Sequence, residues 1–127
     1  MIENPENRID VGIQTQYLDD QSNPENHHYV FSYTITIQNS GSQGARLLTR
    51  HWVITDANGK VQEVQGEGVV GEKPYLSPGQ KFEYSSGTFL DTPVGSMHGS
   101  YGMVADDGSS FKAAIPAFSL AVQGLVH

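Results

Sequence analysis

Apolar and polar residues alternate at every second position over much of this chain. The clearest alternation covers residues 29–37, where the apolar positions are Tyr29, Phe31, Tyr33, Ile35 and Ile37. A similar alternation covers residues 9–17. A period of two is typical of a strand with one buried face. Both stretches are therefore predicted to be strands, and residues 29–37 are predicted to form a central one.

The rest of the chain predicts further short strands separated by turns. They lie over residues 46–55, 60–66, 81–86, 96–105 and 111–115, and residues 117–125 add a final one. The turn sequence at residues 56–59 favours a strand over a helix before it, with Leu48, Trp52 and Ile54 on one face. Residues 66–79 contain too much Gly and Pro for regular structure, so a long loop is predicted there. Seven or eight strands without a long helical stripe predict an antiparallel β-sandwich.

Length and composition fit a single domain over residues 1–127 with a polar, flexible lead-in at residues 1–8. No stretch approaches the ~18 apolar residues of a membrane span, and the N-terminal residues lack the apolar centre of a signal peptide. A cytoplasmic protein without membrane insertion is expected. The net charge of −7 argues against broad nucleic-acid binding. The chain has no cysteine, which excludes disulfides and thiol chemistry.

A G-x-G-x-x-G pattern occurs at Gly66, Gly68 and Gly71. In dinucleotide-binding proteins the third glycine opens a helix whose amide groups bind pyrophosphate. Here Pro74 and Pro78 follow closely and prevent such a helix. The favoured interpretation is that the glycines serve positive φ angles and a close backbone approach in a long ordered loop. The alternative is a nest of backbone amides that binds a small anion, either pyrophosphate or a nucleotide.

No residue pattern indicates a metal site or a catalytic centre. The five histidines include no pair at the spacing of a strand face or a helix face. The acidic pairs Asp19 with Asp20 and Asp106 with Asp107 lie beside turn-forming residues, which is the usual place for such pairs. The G-x-S-x-G motif of a nucleophilic serine is missing from the sequence. No cofactor, metal or enzymatic activity is therefore expected.

A resemblance to the bacterial ApaG family covers about residues 9–118. The segment at residues 64–87, VQGEGVVGEKPYLSPGQKFEYSSG, closely resembles the family signature. Residues 50–56, RHWVITD, match the stretch before it. The match continues through Leu90, Thr92, Pro93, Gly95, Met97, Gly99, Tyr101 and Met103. The resemblance is specific because glycines, prolines and aromatics agree in spacing, although Lys73 stands where the family more often has glutamine.

The resemblance implies an immunoglobulin-like or fibronectin type III-like sandwich, in agreement with the strand prediction. It also implies an association with cobalt resistance and magnesium efflux. Related domains occur in eukaryotic F-box proteins and in a polymerase-interacting protein, where a protein-binding role is supposed. The family has no established catalytic residues, so none is implied for this chain.

The favoured function is a non-enzymatic protein-interaction or regulatory module, and small-anion binding is the alternative. A small sandwich with a long ordered loop presents shape and backbone groups without an acid, a base and a nucleophile. The candidate interaction residues are Gly66, Glu67, Gly68, Gly71, Glu72, Lys73 and Tyr75. The sequence does not identify the protein partner, and it leaves open whether the chain forms a homodimer.

Overall fold

A computed structural model describes residues 5–122, which form two antiparallel sheets packed face to face. The strands are β1 (Ile9–Tyr17), β2 (Tyr29–Asn39), β3 (Ala45–Asp56), β4 (Val61–Glu67), β5 (Tyr75–Leu76), β6 (Lys81–Leu90), β7 (Val94–Ala105) and β8 (Ser110–Ala121). One sheet has the order β1-β2-β6 and the other β4-β3-β7-β8, with β5 also paired to β3. No α-helix occurs between residues 5 and 122. The predicted fibronectin type III-like sandwich is confirmed.

Alternating residues of β2 provide much of the core, as the period of two predicts. Phe31, Ile35 and Ile37 are almost fully buried and belong to one hydrophobic cluster with residues of the other sheet. The ring of Tyr33 meets the indole of Trp52 edge-on, with centroids 5.3 Å apart. Burial of these side chains contributes to the stability of the fold at roughly 25 cal/mol for each Å² of apolar surface.

A β-bulge in β3 changes which side chains share a face. The pairing of β3 with β7 shifts register between Leu47 and Thr49. As a result Leu47, Trp52 and Ile54 are buried, while Leu48 is partly exposed. The prediction that Leu48 shares a face with Trp52 is therefore wrong, because the extra residue reverses the alternation within the strand.

The last strand is continuous where two strands were predicted. β8 passes through Pro116 without ending, and its pairing with β7 is irregular at that point. Proline is tolerated there because β8 is an edge strand with a bulge, so the missing N–H costs no ladder hydrogen bond. The end of the predicted final strand, residues 123–125, lies outside the described residues.

The helical segments of the described residues are three short 3₁₀ turns, one before β1 and two between β1 and β2. The 3₁₀ helices are Pro5–Asn7, Asp19–Gln21 and Pro24–Asn26. The side chain of Gln43 donates a 2.8 Å hydrogen bond to the side-chain oxygen of Asn7. The flexibility predicted for residues 1–8 stays a prediction, and residues 1–4 lie outside the described part. None of the helices between residues 5 and 122 has the length and apolar character needed to cross a bilayer.

Candidate functional site

The irregular segment of the candidate site is shorter than predicted. Gly66 and Glu67 are the last residues of β4 and pair with β3. Tyr75 begins β5, which also pairs with β3. The prediction of irregular structure across residues 66–79 is wrong at these positions, because pairing to β3 orders the backbone on both sides. The intervening residues are called here the 68–74 loop.

A tight turn at residues 69–72 forms the tip of the 68–74 loop. The amides of Val69 and Glu72 each donate a hydrogen bond to the other residue's carbonyl oxygen, at 2.8 and 2.9 Å. The central residues Val70 and Gly71 have φ angles of 44° and 82°. Positive φ at both positions defines a type I′ turn, in which a β-branched residue is strained. The site therefore holds Val70 in a costly conformation with its side chain 55% exposed.

Two of the three glycines in the motif have the positive φ expected of them. Gly68 has a φ of 66° and Gly71 a φ of 82°, so the predicted conformational role is confirmed at both. Gly66 differs because it is an extended strand residue. A Cβ atom on Gly66 would lie 2.8 Å from the guanidinium carbon of Arg50, so a larger residue there would require the flexible end of that side chain to shift.

Two arginines of β3 hold the 68–74 loop by its carbonyl groups. Arg50 Nη1 donates hydrogen bonds of 3.0 Å to the backbone oxygens of both Glu67 and Gly68. Arg46 Nη1 donates one of 2.8 Å to the backbone oxygen of Lys73. Hydrogen bonds from a charged donor are stronger than neutral ones. The loop is therefore ordered by β3, and the sequence analysis missed both arginines because their contacts lie far apart along the chain.

Tyr75 anchors the far end of the loop. Its hydroxyl donates to the carboxylate of Asp106, with oxygen distances of 2.8 and 3.0 Å, and this hydrogen bond raises the pKa of Tyr75. The same carboxylate accepts a 2.9 Å hydrogen bond from the amide of Gly44. The guanidinium of Arg46 stacks on the tyrosine ring at 5.5 Å. The side chain of Tyr75 is 41% exposed, but its hydroxyl is already hydrogen-bonded to Asp106 within the fold.

The charged side chains of the loop are partly neutralised by each other. Lys73 Nζ lies 2.5 Å from a carboxylate oxygen of Glu67, and this hydrogen-bonded ion pair lowers the pKa of Glu67. Glu72 is exposed and forms no ion pair with any residue between 5 and 122. The predicted residues do lie on one surface, but only Glu72 and Val70 present unpartnered side chains. The sequence analysis missed Val70, whose unusual φ has no counterpart in the residue pattern.

Three of the six backbone amides of the 68–74 loop donate hydrogen bonds within the fold. The amide of Gly68 donates to the carbonyl oxygen of Leu48 at 2.8 Å, and those of Val69 and Glu72 close the turn. The backbone carbonyls of Glu67 and Gly68 accept hydrogen bonds from Arg50. A nest needs successive free amides that converge on one anion. Within the described chain, no group of three or more His, Asp or Glu side chains could hold a metal ion.

Comparisons with known proteins cover nearly the whole chain. A family model described as the ApaG domain matches residues 19–105. A protein named ApaG from Acidithiobacillus ferrooxidans is 55% identical over 127 residues, with all of both chains covered. One from Shewanella sp. strain MR-4 is 58% identical over 119 residues, or 94% of each chain. The crystal structure of the putative ApaA protein from Bordetella pertussis superposes with a TM-score of 0.91 at 45% identity, covering 93% of this chain and 96% of that one.

Proposed function

The chain belongs to the ApaG family, and we propose that it is a non-enzymatic protein-interaction module that binds through the tip of the 68–74 loop. The observation that carries this proposal is the exposure of Val70 and Glu72 on a turn whose flanking backbone is held by two arginine side chains. A surface ordered before binding loses little conformational entropy when a partner docks. An exposed apolar side chain in a strained conformation also favours a functional role, since such strain concentrates at functional sites.

The polar groups beside the loop have structural partners, which supports a non-catalytic role. The carboxylate of Asp106 is occupied by Tyr75 and Gly44, and that of Glu67 by Lys73. A general base or nucleophile needs a reacting group within reach and a pKa suited to proton transfer. We propose that the module acts in the cytoplasm, and that the cobalt and magnesium association of the family passes through its protein partner.

Small-anion binding remains the second candidate. Lys73 and the positive φ angles of Val70 and Gly71 favour it, because a turn with such angles can aim amides at an anion. Its support is weaker, since three amides of the segment already donate to backbone carbonyls. Pyrophosphate or a nucleotide that binds the folded chain must raise its melting temperature. Unchanged melting at millimolar pyrophosphate and adenosine triphosphate would remove this candidate.

Charge reversal at the tip tests the proposed interaction. We compare Glu72→Arg with Glu25→Arg, because both residues are exposed and lie at opposite ends of the sandwich. Each immobilised variant is incubated with bacterial cytosol, and captured proteins are quantified by mass spectrometry. Proteins retained by the parent and by Glu25→Arg should be lost from Glu72→Arg. If Glu72→Arg melts normally and keeps every protein that the parent captures, the tip is not the binding surface.

A further inference from the structure

The sandwich is closed along one side and open along the other. β1 of the three-stranded sheet packs against β8 of the opposite sheet. At the other side the smaller sheet ends at β6, while the larger one continues to β4. β4 is therefore uncovered, and almost every residue in it is exposed, including the inward-facing Val64 at 40%. A strand that is exposed on both faces is unusual in a sandwich, because one face normally packs on the other sheet.

A slot of about 170 Å³ separates β4 from β6 on this open side. Its lining includes Tyr33, Arg50, Trp52, Val64, Ser86 and Thr88. The edge of β6 forms one wall, and its pairing with β2 is regular throughout. Residues 85–89, Ser-Ser-Gly-Thr-Phe, contain no charge and no proline. Natural proteins commonly use charges, prolines or bulges to prevent pairing at such an edge.

We propose that this slot binds an extended segment of a partner protein, which adds to β6 as a further antiparallel or parallel strand and covers β4. The edge of β6 would supply backbone hydrogen bonds, and the slot would accept alternate side chains. This binding mode uses no side chain of the 68–74 loop, and its test leaves Arg50, which also bonds the loop, unchanged. Its failure and that of the proposed loop function are therefore separate results.

A second copy of this chain does not fit as the occupant. Suppose that two β6 strands paired around a twofold axis. Because β4 extends beyond β6 in each sandwich, the β4 strand of one copy would lie where the larger sheet of the other copy must lie. Two strands cannot occupy the same position, so the overhang prevents symmetric pairing of the edges. A single extended segment, such as a tail or a loop of another protein, meets no such obstacle.

The side chains around the slot indicate the chemistry of the segment. Val64 pairs with Trp52, and two residues further along Gly66 pairs with Arg50. The first pair offers an apolar surface. Arg50 forms no ion pair within residues 5–122, and only one of its guanidinium nitrogens is bonded to the loop carbonyls. Since alternate residues of a strand share a face, the fitting segment carries an apolar residue and, two positions away, a carboxylate.

A random dodecapeptide library displayed on phage tests this proposal when it is panned on the full chain. Val64→Lys places a charge in the slot, and Val61→Lys places the same charge on the opposite face of the same strand, where Val61 is 56% exposed. Peptides selected on the parent should bind Val61→Lys equally and Val64→Lys about tenfold more weakly, because the apolar residue of the peptide would cover the ammonium group and remove it from water; a tenfold loss corresponds to ~1.4 kcal/mol. Binding is measured by the fluorescence of Trp52, the one tryptophan of the chain.

Amide hydrogen exchange then identifies the binding edge. Selected peptides should slow exchange at residues 86–88 of β6, and their sequences should combine an apolar and an acidic residue at alternate positions. The proposal is overturned if no peptide is enriched on the parent over Val64→Lys. It is equally overturned if enriched peptides protect other amides, or if they bind both lysine variants alike.

Discussion

Arg50 donates a 3.0 Å hydrogen bond from Nη1 to the carbonyl oxygen of Gly68, so a side chain of β3 holds the backbone of the neighbouring loop. The same nitrogen bonds the carbonyl of Glu67. The loop is thus ordered by a charged group that reaches it from a rigid strand. A loop held in this way presents its tip in one conformation, which is the physical basis of the proposed interaction surface.

Replacing Arg50 by lysine should loosen the tip while preserving the charge. An ammonium group lacks the planar fork of the guanidinium, so it cannot reproduce the same hydrogen bonds from the same position. We expect amide exchange at Val69 and Glu72 to accelerate about tenfold, with a loss of ~1 kcal/mol in unfolding free energy. Exchange rates at these amides that match the parent would show that the arginine does not order the turn.

Alanine should cost more at Gly68 than at Gly71. Both glycines have positive φ, but a Cβ on Gly68 would lie 2.4 Å from the carbonyl oxygen of Glu72, while none on Gly71 would meet an atom within 4 Å. The strained φ alone costs ~1 kcal/mol, and the added backbone clash should raise the cost at Gly68 to about 3 kcal/mol. Urea unfolding of the two variants measures the difference, and equal costs would contradict the described backbone geometry.

The hydroxyls of Tyr84 and Tyr101 form a hydrogen bond across the buried core, linking β6 to β7. Tyr101→Phe should destabilise the fold by ~1–3 kcal/mol, because it leaves the Tyr84 hydroxyl buried without a partner. Tyr84→Phe should destabilise the Tyr101→Phe variant much less than it destabilises the parent. In the double variant both hydroxyls are gone, so no buried hydroxyl is left without a partner. Additive costs in this double-mutant cycle, measured by urea unfolding, would show that the two hydroxyls are not coupled.

The same pair should make the fold sensitive to alkaline pH. Burial raises the pKa of Tyr84 to about 12, and burial also raises the pKa of Tyr101. The unfolded chain has tyrosine pKa values near ~10, so the unfolded state ionises first as pH rises. The stabilising contribution is complete below about pH 10 and is lost as pH rises towards 12. The urea midpoint should therefore fall between pH 9 and pH 11 by more in the parent than in the double phenylalanine variant. An equal fall in both would refute this assignment.

Local alternation was sufficient to predict most of the fold. Ile9–Tyr17 and Tyr29–Asn39 are strands because each has one buried face, and that pattern is visible in any window of the sequence. The bulge at Leu48 and the passage of β8 through Pro116 were not predictable in this way. Both depend on the pairing partner, since the neighbouring strand decides where an extra residue is accommodated.

The sequence pattern predicted part of the conformation of the 68–74 loop, while the binding role of its residues stays a prediction. The glycine motif correctly indicated positive φ at Gly68 and Gly71, because glycine is the residue that adopts such angles without strain. The contacts of Arg50 with the loop and of Tyr75 with Asp106 join residues 17 or more positions apart. Sequence spacing does not reveal such contacts, so Tyr75 was expected to be a surface residue for binding rather than an anchor of the loop.

Site-specific photocrosslinking at the tip tests the central claim most directly. A diazirine amino acid replaces Val70 in one variant and Val61 in another, because these valines are 55% and 56% exposed and lie in different parts of the surface. After irradiation in living cells, adducts are identified by mass spectrometry. A discrete protein adduct is expected at residue 70 that is missing at residue 61 and disappears when Glu72→Arg is added. Equal adducts at both positions, or none at residue 70, would contradict a protein-binding role for the tip.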